Sequence, residues 1–503
     1  MRDGVFHVVL AGTPHNVATP PSVVKQIYLH RTKVTPNDFT FLLLERFFGD
    51  TKGELRATDP QIVFGKLHTI VAKLNREPFV SEAAMVTVRL TERRIHDLVS
   101  FSSSWVDHSV WERAGNATVD PAGKFVEADF FQLVKFFIGD IASTSLTGHE
   151  FMNNNPDFLN DMFLLDSKFQ QFLIGLPVWL PGMAPAHLAR ARCINAVEEL
   201  QQALYDTWDE RDPGTKWGDL SDVSNVFQER ARAFRENGCS RRAGALGDFT
   251  LVWAMNVNAN QTIWWLLWRI YSSPSLRSEI MEEIAPHATY TEVNSGLPIK
   301  ELPRLQLHLD GLVHKCPLLK STFYETLRIA ATAPAYRKVL ESFDVTESAQ
   351  DAALDGKSEP QTYRFNKGEY ICIATSAHTG DGRYFKDPED FNPRRFIVKE
   401  PRSEKGDEND GTHLTEKPET NINMKEVNVD MGTMRVFGGG TTACKGRNFV
   451  EREVVIFVAA ILTAWDVEPV SGAWTYPGMT TSSGVCIPTK DVRVRLRRRG
   501  VTK

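Results

Sequence analysis

Phe437-Gly438-Gly439-Gly440-Thr441-Thr442-Ala443-Cys444-Lys445-Gly446-Arg447-Asn448 is the stretch on which the reading of this 503-residue chain turns. Three consecutive glycines permit a tight turn with positive φ and let the backbone approach a flat ligand closely. A cysteine follows, then Gly446, then a helical pattern from Phe449 to Trp465. A sulfur at a helix N-terminus faces unpaired N–H groups and the positive end of the dipole. Both favour thiolate, the form that binds iron. N–H groups aimed at such a sulfur also tune its electron donation. Two plainer readings compete: a glycine-rich phosphate loop, and a buried cysteine in an ordinary turn. A phosphate loop wants Gly-Lys-Ser/Thr after the glycines and a strand before them. Neither fits well here.

Upstream, Glu325-Thr-Leu-Arg328 places two opposite charges three residues apart on one helix face. In isolation that is a surface pair of a few tenths of a kcal/mol. The helix around it, Leu318–Ile329, runs into apolar turns and a strand pattern, which points to burial. A buried Glu–Arg pair needs further hydrogen bonds, so a third partner is expected. Phe391-Asn-Pro393-Arg-Arg395-Phe396 offers Arg395. Further upstream, the most apolar helix pattern runs from Phe249 to Tyr271 and is ended by Pro274. It carries Asn256, Asn258, Asn260, Gln261 and Thr262 amid Trp253, Trp264, Trp265 and Trp268. Clustered asparagines suit a helix interior poorly and demand partners. They form either a polar face against neighbouring loops or a locally opened helix that offers hydroxyl and amide groups to bound dioxygen.

The rest of the chain sets limits. Net charge is −5 and 42% of residues are hydrophobic, enough for a large core and no advertisement for nucleic acid. Cys193, Cys239, Cys316, Cys372, Cys444 and Cys486 are scattered with no C-x-x-C pair, which reads as a reduced, intracellular chain. No run reaches the roughly 18 apolar residues that span a bilayer, so membrane contact is expected to be peripheral. Phe6–Ala11 and residues 77–90 look extended. Phe130–Ile141, Phe158–Leu173 and Ala186–Asp209 look helical. Residues 337–373 suggest two hairpins, RKVLESFDV and TYRFNKGEYICIA. Residues 401–430 read as a polar surface insertion. Val492-Arg-Val-Arg-Leu-Arg alternates like an edge strand.

Together and in order, these residues resemble the cytochrome P450 family, whose pattern is a groove threonine, then E-x-x-R, P-x-R-F and F-x-x-G-x-x-x-C-x-G. Here they are Thr262, Glu325/Arg328, Pro393/Arg395/Phe396 and Phe437/Gly440/Cys444/Gly446. The set covers about the C-terminal half, and several segments look especially like fungal members. The resemblance implies a mainly α fold, a large helical domain with a small β-rich subdomain, in one domain over residues 1–503. It implies haem b, with Cys444 as axial thiolate of the iron and a brace of Glu325, Arg328 and Arg395. Arg337, standing after the E-x-x-R helix, would pair a haem propionate. Phe437, Gly440 and Gly446 would shape the haem loop. Thr262, with Gln261 beside it, would relay protons.

Three departures stand out. Thr442 replaces the usual Arg or His two residues before the cysteine. The W-x-x-x-R of an earlier helix is not evident, since Trp105 and Trp111 lack the spaced arginine. Gln261 replaces the usual acid, and an amide cannot deliver a proton as a carboxylic acid can.

The expected activity is monooxygenation of an apolar small molecule (terpenoid, steroid-like or another secondary metabolite). Electrons would come from NADPH through a cytochrome P450 reductase, with cytochrome b5 as a second donor, on the cytosolic face of the endoplasmic reticulum. Lys445, Arg447 and Arg452 lie where an acidic reductase would dock, or are ordinary solvated cations. The pocket is expected from the Ile95–Arg113 and Phe158–Met183 regions, the Thr262 helix, Thr332–Tyr336 and the Thr480–Cys486 turn. An electron-independent isomerase or dehydratase on the same fold is the alternative. A non-catalytic haem-binding protein is the alternative of another class.

Overall fold

The computed structural model describes residues 4–10, 12–58, 65–292, 302–398 and 428–500. The polar stretch 401–430 lies outside them except for residues 428–430. The chain divides into two compact units, one built from residues 1–40 and 317–444, the other from residues 41–316 and 445–503.

The first unit is strand-rich. Its five-stranded sheet has the order Val5–Leu10, Thr13–Ala18, Tyr370–Ile373, Ala335–Val339, Val34–Thr35. The first two strands form a hairpin, and Tyr370–Ile373 runs parallel to Thr13–Ala18. Behind the sheet lies helix Pro21–Leu29, whose first-position proline presets φ. It buries Val23, Val24, Ile27 and Tyr28 in a core with Val339, Phe343, Val345, Phe365, Ile371 and Ile373.

The two local hairpins expected over residues 337–373 are not formed. Ala335–Val339 pairs with Tyr370–Ile373, and Phe343–Thr346 pairs with Thr362–Phe365. The turn after each first strand hands the chain to a different ladder. The reason is burial: Arg337 and Ala335 lie opposite Ile371 and Ile373, while Phe343 and Val345 lie opposite Phe365 and Tyr363. The apolar partners lie across the chain, not beside it in sequence.

The second unit is mainly helical. Its longest helix, Arg241–Tyr271, is capped by Ser240, whose Oγ accepts from the Ala243 N–H at 3.1 Å. Helices Phe130–Thr147, Met183–Trp208 and Arg447–Ala464 pack against it. Residues 77–90 are not extended: helix Phe79–Arg94 occupies them. Val80, Val86, Thr87 and Val88 mimic a strand because β-branched residues favour one. The buried set Val80, Ala84, Thr87, Val88 and Thr91 nevertheless keeps helical spacing, and packing against helix Arg447–Ala464 decides the outcome.

The C-terminal strand, Arg493–Arg498, is not an edge. It lies between Trp465–Pro469 and Val126–Asp129 in a four-stranded sheet. Alternation reported its buried face, Val494 and Leu496, correctly. The number of neighbours a strand has leaves no mark in such a pattern. A mainly helical unit with a strand-rich companion is the fold class the sequence implied. No described helix is long and apolar enough to cross a membrane.

Candidate functional site

Within the strand-rich unit, helix Pro317–Ala330 carries Glu325 and Arg328, both buried. Arg328 donates through Nε and Nη2 to the two Glu325 oxygens, at 2.8 and 2.9 Å. Arg395 Nε donates to Glu325 Oε2 at 2.9 Å, and the Asn392 N–H to Oε1 at 3.0 Å. Arg328 also reaches the Thr379 carbonyl at 2.9 Å, and Arg395 the Asp387 and Asp390 carbonyls at 3.2 and 3.1 Å. Glu325 is thus saturated, and a buried ion pair holds only under that condition. The group is a brace with no acceptor left for a ligand.

The glycine-rich turn is shaped by contact with Tyr28. Gly438 and Gly440 have positive φ, 72° and 62°. A Cβ on Gly439 would lie 2.5 Å from the Tyr28 ring, and one on Gly440 2.8 Å from the Tyr28 carbonyl oxygen. The Cys444 N–H closes the turn on the Phe437 carbonyl at 2.8 Å. Cys444 is exposed, alone among the six cysteines. Gly446 precedes helix Arg447–Ala464 with an ordinary φ of −108°, and nothing within 4 Å would meet a Cβ there. Neither backbone strain nor crowding among the described residues therefore explains that glycine.

Arg337 lies 7% exposed on strand Ala335–Val339. It donates through Nη2 to the Thr442 hydroxyl and through Nη1 to the Tyr336 carbonyl at 2.7 Å. Its guanidinium stands 5.3 Å over the Tyr28 ring. No carboxylate pairs with it among the described residues, and burial draws its pKa below the ordinary arginine value. A buried guanidinium without an anion, flanked by hydroxyls and beside an exposed cysteine, fits the carboxylate edge and the iron of the haem that the resemblance implies.

In the helical unit, Thr262 donates to the Asn258 carbonyl at 2.8 Å. The opening expected at this point is not present, and Arg241–Tyr271 is α-helical throughout. The amides find partners on neighbouring elements instead. Asn256 Nδ2 reaches Ser143 Oγ at 3.1 Å and the Val252 carbonyl at 2.9 Å, and Asn260 Nδ2 reaches the Lys135 carbonyl at 3.2 Å. Gly139 makes room for both, since its Cβ would sit 3.3–3.4 Å from the two amides. Asn258 Oδ1 accepts from the Val485 N–H at 3.2 Å, and Trp265 Nε1 donates to the Cys486 carbonyl at 2.7 Å. These two hold the 480–486 turn. Gln261 reaches Ser482 Oγ at 3.5 Å with Nε2, and its Oε1 has no partner among the described residues. Arg452, one of the three cations near the cysteine in sequence, is committed to Glu77 at 2.6 Å and is little exposed.

Sequence reading missed four buried groups. Asp166 accepts from Trp253 Nε1 at 3.1 Å, and burial pushes it up to about 6. Lys135, 4.5 Å over the Phe163 ring, is drawn down to about 8 by burial. Glu453 has no partner among the described residues and is pushed up to about 8 by burial. Tyr28 is the fourth. A lone charge inside an apolar helical run, as in FFQLVKFFIGD, was the available signal for Lys135. Tyr28 had none.

Comparison with known proteins gives the context. The cytochrome P450 family model matches residues 249–496. The cytochrome P450 monooxygenase efuG of Hormonema carpetanum is 22% identical, over 92% of this chain and 77% of its own length. The cytochrome P450 monooxygenase poxD of Penicillium oxalicum is 26% identical over 66% of this chain, and the 25-hydroxycholesterol 7-alpha-hydroxylase of Rattus norvegicus 25% identical over 49%. The chain spans about half the length of these last two, 56% and 52%. Among solved structures, a crystal structure of a cytochrome P450 superimposes with a TM-score of 0.64 over 99% of this chain and 95% of that one, at 16% identity. The retinoic acid-bound cyanobacterial CYP120A1 gives 0.61 over 99% and 92%, at 15%. Residues 249–496 thus match the cytochrome P450 family model, the relatives are named cytochrome P450 monooxygenases, and the fold is that of the solved cytochromes P450.

Proposed function

We propose that the protein is a haem-thiolate monooxygenase that inserts one oxygen atom from O2 into an apolar small molecule. Electrons would reach it from NADPH through a reductase. The observation that carries the reading is the turn around Cys444: an exposed cysteine, in a glycine loop with two positive φ values, beside a buried arginine that has no carboxylate.

Haem, when bound, supplies the redox-active iron that activates dioxygen. The chain's own residues do the rest. Cys444 would hold the iron as thiolate. Arg337 would neutralise a propionate, and the Glu325–Arg328–Arg395 brace would fix the surrounding backbone. Thr262 carries a hydroxyl that can exchange its bond to the Asn258 carbonyl for one to a ligand. Gln261 can orient a donor through Oε1 but has no acidic proton to give. Phe163, Phe169 and Trp253 supply aromatic surface beside the long helix, in keeping with a terpenoid, steroid-like or polyketide-derived substrate. The rat relative named a 25-hydroxycholesterol 7-alpha-hydroxylase points to the same class. Docking of an acidic reductase would involve Lys445 and Arg447, on the cytosolic face of the endoplasmic reticulum.

The amide at Gln261 favours a second reading, an isomerase or dehydratase that consumes no electrons. Purified protein, incubated with candidate terpenoids and sterols with and without reductase, NADPH and O2, separates the two. Oxygenated product that requires all three is expected. Turnover without NADPH would overturn the monooxygenase reading.

A further inference from the structure

We propose that Tyr28 is a haem-binding residue, its phenol hydroxyl donating to a propionate alongside Arg337. The assignment rests on the haem reading above and extends it to a helix outside the motifs.

Tyr28 lies near the end of helix Pro21–Leu29 and is 8% exposed. Its hydroxyl is buried and has no hydrogen-bond partner among the described residues. Buried hydroxyls are almost always bonded, and one that is not marks a missing acceptor. The ring is held from two sides. Gly439 packs on it so closely that any Cβ would collide, and the Arg337 guanidinium stands 5.3 Å over it. The absent Cβ of Gly438 would lie 3.9 Å from the hydroxyl, so the phenol tip lies against the first glycine of the haem loop.

The charges around it ask for an anion. Arg337 and Arg435 are the cations that act on Tyr28. Arg337 has no carboxylate, and Arg435 spends Nη1 on the Gly432 and Met434 carbonyls at 3.0 and 3.3 Å. Thr442 holds the place where the family resemblance puts a second cation, and its hydroxyl already accepts from Arg337. A carboxylate acceptor satisfies the phenol and the guanidinium together, as charge-assisted bonds. Burial raises the Tyr28 pKa above the ordinary phenol value, so the hydroxyl remains a donor at neutral pH.

Tyr28→Phe removes the hydroxyl and keeps the ring on which the glycines pack. The loaded protein is mixed with excess apomyoglobin, and haem transfer is followed by absorption. Release about tenfold faster than wild type is expected, the scale of one charge-assisted hydrogen bond. The haem-free variant should melt at the wild-type temperature or above it, because the lost hydroxyl has no partner there. With haem dimethyl ester, whose carbonyls accept only a neutral hydrogen bond, the difference between variant and wild type should shrink. Equal release rates with ordinary haem, a difference undiminished with the ester, or a lower melting temperature of the haem-free variant would each overturn the role of Tyr28. Those outcomes leave the haem reading standing, provided the wild type binds haem. A wild-type protein that takes up no haem overturns both.

Discussion

Glu325 and Glu453 are equally buried and are treated in opposite ways. Glu325, in the strand-rich unit, receives Arg328 twice, Arg395 once and one backbone N–H. Glu453, on helix Arg447–Ala464 of the helical unit, receives nothing from the described residues, and burial pushes it up to about 8. One carboxyl is saturated by hydrogen bonds from its neighbours. The other is kept protonated because no neighbour compensates the charge. A buried acid is therefore a brace or a liability according to its partners, and burial alone does not tell which.

The contrast breaks first at Glu325. Glu325→Ala strands two buried guanidinium groups and should lower stability by about 3–5 kcal/mol, read as a loss of soluble protein or a large fall in melting temperature. A melt close to wild type would show that the brace carries little. At Glu453 the sign reverses. Its folded pKa is raised, so the folded state holds the proton more tightly than the unfolded chain. Stability should fall as pH climbs from the ordinary carboxyl value of 4.5 through about 8, and level off above. Glu453→Gln should remove that slope and stabilise the protein by about 1–4 kcal/mol at pH 8, with little effect at pH 5. Urea melts at the two pH values check it, and a slope that survives the substitution refutes it.

Smaller effects sharpen the picture of the long helix. Asn258→Ala removes the acceptor of the Val485 N–H. It should cost about 1 kcal/mol and speed hydrogen exchange at Val485, and unchanged exchange would mean that Trp265 and the turn's other partners hold it without Asn258. Thr262→Val removes only a bond to the helix's own carbonyl. Stability should change by less than about 1 kcal/mol, so any larger loss of coupled turnover reflects chemistry and not folding.

The sequence carried the parts of this molecule that are local or ordered along the chain. The helix spans around Phe130, Phe158, Ala186 and Leu318 were legible because their apolar spacing repeats within a few residues. Glu325, Arg328 and Arg395 were legible because their order is distinctive, although no one of them is informative alone. What was hidden depends on partners far away in sequence. Arg337 and Phe343 look like two arms of a hairpin until Ile371 and Phe365 claim them. Residues 77–90 look extended until helix Arg447–Ala464 covers the helix they form. Asn256 and Asn260 look like an opened helix until Ser143 and the Lys135 carbonyl take up their Nδ2 groups, which leaves both Oδ1 atoms without a partner among the described residues. Tyr28 lies more than 400 positions from the glycines it supports, and no local pattern announces such a contact.

The central claim is that Cys444 is the thiolate ligand of a haem iron. The most direct measurement is the absorption spectrum of the reduced, CO-bound protein, wild type against Cys444→Ala. The account predicts the red-shifted band of thiolate ligation in the wild type and its loss in the variant. A variant that keeps the band, or a haem-loaded wild type that never shows it, would contradict the assignment.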